Sequence, residues 1–110
     1  MISLPTPDLA IVLTTWPADR DPAVLARPLV DEGLAACVNA LPPMYSTYRW
    51  NGAVQVDREQ QLIIKTTRDR LEALHARLVS VHPYDVPEFL ILDVAGAATP
   101  YLEWVRAARP

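Results

Sequence analysis

The apolar positions fall into short runs with two different periods. Residues 9–15, Leu-Ala-Ile-Val-Leu-Thr-Thr, form a continuous β-rich run of the kind a central strand shows, and Pro17 ends it. Asp21-Pro22 opens a helix, with a capping carboxylate followed by proline at the first helical position. Leu25, Leu29 and Val30 give that helix an apolar face, and Gly33 closes it. Pro28 lies inside it and predicts a bend or weakened turn near Arg27, because an interior proline costs about 3 kcal/mol. Residues 34–41 read as a strand, Pro42-Pro43 as a bulge or edge kink, and residues 45–50 as a resumed strand with aromatic alternation. Asn51-Gly52 then joins two strand-like runs. Both central residues of a type I′ turn need positive φ, so this dipeptide predicts a tight hairpin. The return strand, residues 53–66, ends in Leu62-Ile63-Ile64. Arms of this length predict a hairpin that projects beyond the rest of the domain.

In the second half, Asp69 and Glu72 mark the start of a helix, where negative charge suits the backbone dipole. Leu71, Leu74, Leu78 and Val81 recur at helical spacing, which predicts Arg70 and Arg77 on the solvent side, and Pro83 ends the helix. The loop 82–88 is dense in polar and rigid residues. Residues 89–94 read as a strand closed by Gly96. Thr99-Pro100 caps a last helix with Leu102, Val105 and Trp104 as its buried side. The order β-α-β-β-α-β-α is that of an α+β, ferredoxin-like split βαβ domain with an added C-terminal helix. One domain over 9–108 is expected, preceded by a loose lead-in over 1–8.

Composition sharpens this picture mainly by exclusion. The chain has 110 residues, 51% of them hydrophobic, enough for one core and too apolar for disorder. The apolar share is slightly rich for a lone monomer and points to a buried interface. Net charge is −3 with the signs interspersed, so there is no basic footprint for nucleic acid. Cys37 is the only cysteine, which rules out an intrachain disulfide and a paired-cysteine zinc motif. No leader segment or membrane-spanning run of about 18 apolar residues is evident, so a soluble cytoplasmic protein is expected, with no membrane partner. Three glycines cannot build a phosphate loop or a dinucleotide fingerprint.

Five fragments then occur in series. They are Leu34-Ala35-Ala36-Cys37-Val38-Asn39; Ser46-x-Tyr48-x-Trp50-x-Gly52; Leu62-Ile63-Ile64-Lys65-Thr66-Thr67; His82-Pro83-Tyr84-x-Val86-Pro87-Glu88; and Tyr101-Leu102-x-Trp104. Together they resemble the CutA, or divalent-cation tolerance, family over about residues 9–106. The resemblance implies a ferredoxin-like subunit in a tight homotrimer, similar in architecture to PII signalling proteins, with the hairpin reaching onto neighbouring subunits. It implies a role in the response to divalent metal ions, copper especially, and no enzymatic activity. It also exposes departures: Thr14 stands where some relatives carry cysteine, and Val81 where some carry histidine, so two soft ligand types are missing.

Each candidate residue has a chemical and a structural reading. Cys37 is a thiolate suited to copper or zinc, or a small buried hydrophobe on a strand. His82 is a metal ligand or cleft wall, or a helix-end cap; His75 reads as solvated. Glu88 and Asp85 could converge with His82 on one cation if the loop folds back, giving a modest oxygen-rich site for copper(II) or another divalent ion. Lys65 and Arg68, where a strand passes into a helix, could hold an anion, or simply be solvated cations at a capping turn. Tyr84 and Trp50 would line an interface pocket or pack. A PII-like trimer binding a small anionic ligand between subunits, through Lys65, Arg68, Tyr84 and Glu88, is the second reading. An acylphosphatase-like enzyme would need a phosphate-cradling loop after the first strand, and residues 15–20 contain no glycine. An RNA-recognition module would need aromatic and basic side chains on the central strands, which here are aliphatic.

Overall fold

The computed structural model describes residues 1–110. Its strands are β1 (Ile2–Ser3), β2 (Leu9–Pro17), β3 (Cys37–Ala40), β4 (Met44–Trp50), β5 (Ala53–Thr67), β6 (Leu90–Asp93) and β7 (Ala97–Ala98). Its helices are α1 (Ala23–Asp31), α2 (Leu71–Val81), which follows a 3-10 turn over Arg68–Arg70, and α3 (Thr99–Ala107). The main sheet has the order β3-β5-β2-β6 with β4 continuing beside the first half of β5, and every ladder is antiparallel. Thus β2 and β3, joined by α1, run parallel with β5 inserted between them. This is the split βαβ order expected from the pattern of elements, in a mixed α+β fold with three helices.

β5 gives the molecule its shape. Its second half is the centre of the sheet, and its first half leaves the sheet as one arm of the hairpin. The molecule accordingly extends 47 Å along its longest axis against 26 and 24 Å across. Trp50 pairs with Ala53 around Asn51 (φ 51°) and Gly52 (φ 77°), the two positive-φ positions of a I′ turn. The proline pair produces the expected bulge: Leu41, Pro42 and Pro43 stand opposite only Gln60 and Gln61.

One face of the sheet packs on α1 and α2, where Val12, Trp16, Leu62 and Ile64 meet Leu25, Leu29, Leu74 and Leu78 in the main core. Thr14 is buried in this layer, and its hydroxyl has no partner. On the opposite face α3 covers one end only, packing Leu102 and Val105 on Leu9 and Ala36. The register places Leu13, Ile63, Leu90 and Leu92 together on the remainder of that face, where they are half-buried or exposed.

As expected, α1 runs through Pro28, to Asp31, and the Asp21 carboxylate accepts the Ala23 N–H at 2.9 Å. Several other local expectations need correction. Thr99 does not cap α3; its hydroxyl bonds Ser3 at 2.8 Å instead. Trp104 lies on the solvent side of α3, 49% exposed. The lead-in is not loose: β1 pairs with β7, and the buried Thr6 hydroxyl donates to the Val94 carbonyl at 2.6 Å. Arg70 is buried, because it ends the 3-10 turn rather than standing on the outer face of α2. No helix is long and apolar enough to cross a membrane.

Candidate functional site

The hairpin and loop 82–88 enclose the principal cavity, of about 440 Å³. Ser46, Tyr48 and Trp50 on β4 share a hairpin face with Gln55, Asp57 and Glu59 on β5, because paired residues lie on one side of a ladder. Tyr48, Trp50, Asp57 and Glu59 from this face form one wall. Pro83, Tyr84, Asp85, Val86 and Glu88 form the other, with Thr15 of β2 between them. The Tyr84 hydroxyl donates to Glu59 at 2.7 Å and joins the two walls. Tyr48 donates to Asp57, and Gln61 donates to Glu88 at 3.0 Å. Burial, reinforced by the bond to Glu59, raises the Tyr84 pKa well above the ordinary tyrosine range. The bond to Asp57 is the main cause of a rise at Tyr48.

His82 fastens the loop to the sheet. A carbonyl only accepts, so Nε2 carries the proton and donates to the Thr15 carbonyl at 2.7 Å. Nδ1 then accepts the Tyr84 N–H at 3.1 Å. The ring meets Trp16 edge to face at 5.1 Å and Tyr84 at 4.8 Å. Burial lowers its pKa, opposed by the bond to Thr15. With both nitrogens engaged, the ring has no free lone pair for a metal.

The structure separates the other candidates. Cys37 is half-buried and stands opposite Lys65, further along the sheet on the face turned away from α1 and α2, with Sγ 3.7 Å from the Asn39 side-chain oxygen. His82, Cys37 and Glu88 do not meet, and His82, Asp85 and Glu88 do not converge: no three histidine, cysteine or acidic side chains are grouped to hold one metal ion. Soft resident ligation of copper within a single chain therefore does not fit these residues. Lys65 and Arg68 lie outside the cavity. Lys65 stands 6.0 Å over the Tyr101 ring, and Arg68 pairs with Asp93. His75 is exposed, as expected, with its ring edge-on to Phe89 at 4.7 Å.

Sequence reading had singled out Trp50, Tyr84, Asp85 and Glu88, and the cavity unites them. It missed Tyr48, Asp57 and Glu59, which arrive through hairpin register. Their signal was available: i and i+2 positions on each arm counted outward from Asn51-Gly52.

A small antiparallel α+β chain with a split βαβ sheet, an over-long hairpin and a partly bare sheet face defines the class. Residues 10–108 match the profile described as CutA1 divalent ion tolerance protein, and the chain belongs to that family. It is 43% identical over 96 residues to the divalent-cation tolerance protein CutA of Thermus thermophilus, covering 87% of this chain and 93% of that protein. To the CutA of Pectobacterium atrosepticum it is 39% identical over 108 residues, covering 98% of each. The solved structure of CutA from Synechococcus elongatus superposes with a TM-score of 0.92 at 39% identity, covering all of this chain (100%) and 96% of the other.

Proposed function

We propose that the protein acts as a homotrimer in the response to divalent metal ions, binding copper(II) or related ions weakly at boundaries between subunits. The observation that carries this reading is the uncovered apolar surface. Leu90, Ile91 and Leu92 are exposed on β6, an edge strand paired only with β2. Tyr45, Trp50, Val54 and Val56 are exposed along the projecting hairpin. Surface of this kind on two separate elements marks an interface, and an open strand edge calls for cover. Family membership supports the metal-response role. The scattering of donors within one chain favours sites completed by a second chain, and Cys37 faces the side of the sheet that assembly would cover.

The test is a calorimetric titration of the chelator-stripped protein with copper(II), alongside Cys37→Ser. The expected result is saturable binding at a fixed number of ions per assembly, weakened in the variant. Non-saturating heat that the variant leaves unchanged would overturn the metal-binding part of this reading.

A further inference from the structure

Four carboxylates line the cavity, Asp57 and Glu59 from the hairpin and Asp85 and Glu88 from the loop, and no lysine or arginine lines it. None of the four belongs to an ion pair; the five in the molecule use other acids. Hairpin register sends the nearby Arg49 and Arg58 to the opposite face, where Arg58 lies 5.9 Å over the Tyr45 ring. Glu59 is the most telling member. It is only 8% exposed, and its Oε2 accepts the Tyr84 hydroxyl, while Oε1 receives no hydrogen bond. That oxygen is open to the cavity, since the Thr14 hydroxyl is the one buried side-chain polar atom without a partner, and it can accept a charged donor that enters there.

The remaining lining is aromatic: Tyr48, Trp50 and Tyr84. Aromatic faces attract cations, most strongly low-density organic ones stripped of water. A divalent metal ion needs about six oxygens at about 2.0–2.6 Å, and these carboxylates are not so grouped. The volume of about 440 Å³ suits a small organic molecule. We infer that this cavity binds an aliphatic diammonium, with one ammonium on the Asp57–Glu59 wall, the other on the Asp85–Glu88 wall, and the alkyl chain against Tyr48, Trp50 and Tyr84. This goes beyond the metal-response reading and stands without it, because the cavity is formed within one chain.

The probe is butane-1,4-diammonium chloride, titrated into the full-length protein by calorimetry at constant ionic strength. Butane-1,4-diol and magnesium chloride are the controls. Saturable binding of the diammonium alone is expected. Asp85→Asn, at an exposed position, and Trp50→Ala should each weaken it about tenfold, as loss of a charge-assisted bond or a cation–π face does, with the mass of the Trp50 variant checked by sedimentation because Trp50 also belongs to the apolar hairpin surface. Glu59→Gln should do at least the same, with folding checked by circular dichroism. Absence of saturable heat overturns the inference. So does equal affinity for magnesium, which would make the cavity a general cation trap, or undiminished binding in the Asp85 and Trp50 variants.

Discussion

Arg70 shows how one side chain closes this fold. It is 3% exposed, and its guanidinium donates to the carbonyls of Val105 at 2.7 Å, Ala108 at 2.8 Å and Gly33 at 3.3 Å, and to the Thr67 hydroxyl at 2.9 Å. These carbonyls are the orphan acceptors at the end of α3 and beyond α1. Lysine lacks the planar fork, so Arg70→Lys should cost about 2 kcal/mol or more, read as a lower urea midpoint with an unchanged slope. No periodicity announced this role. The Leu71–Leu74–Leu78 spacing is correct for α2, yet Arg70 precedes the helix and escapes its facing rule. At Gly52 the sequence was fully legible. A side chain there would meet nothing within 4 Å, so the penalty of Gly52→Val is purely that of the backbone. A loss of about 1–2 kcal/mol is expected from forcing a β-branched residue to positive φ, measurable as a drop in melting temperature.

Among the elements, local pattern located the strands and helices, and register decided what they bring together. Asn51-Gly52 and Pro42-Pro43 fixed the hairpin and its bulge from sequence, because each rests on backbone chemistry that few residues permit. The cavity was only half legible. Loop 82–88 advertises itself by composition, but its partner wall depends on which arm positions face it. Tyr84 joins the two through Glu59, while His82 fastens the loop to β2, and the pH behaviour of His82 follows from that setting. Burial lowers its folded pKa below the ordinary 6.5, so the unfolded chain takes up the proton first as pH falls. The stability contribution is full above that value and is lost as pH falls below it and through the folded pKa. Asp69, held low mainly by Thr67 and also by Arg109, and Asp8, held low mainly by Arg106, lose theirs only below about 3.8. Urea unfolding at about pH 7.5 and about pH 5 should therefore show a loss that His82→Asn abolishes, since asparagine at that position takes up no proton.

At the scale of the molecule, one sheet face is closed by two helices and the other is closed at one end only. Leu13, Ile63, Leu90 and Leu92 on that second face, with the hairpin side chains beyond it, form an apolar strip that no helix covers. The apolar composition points to an interface without locating it, because alternation tells which residues share a face and not which face a helix will cover. That the working unit is an assembly of three chains is the proposal made above, and the bare surface supports it. Sedimentation equilibrium at micromolar concentration tests it most directly. The account predicts a single species of three times the 12.2 kDa chain mass. A stable species at the mass of one chain would contradict it.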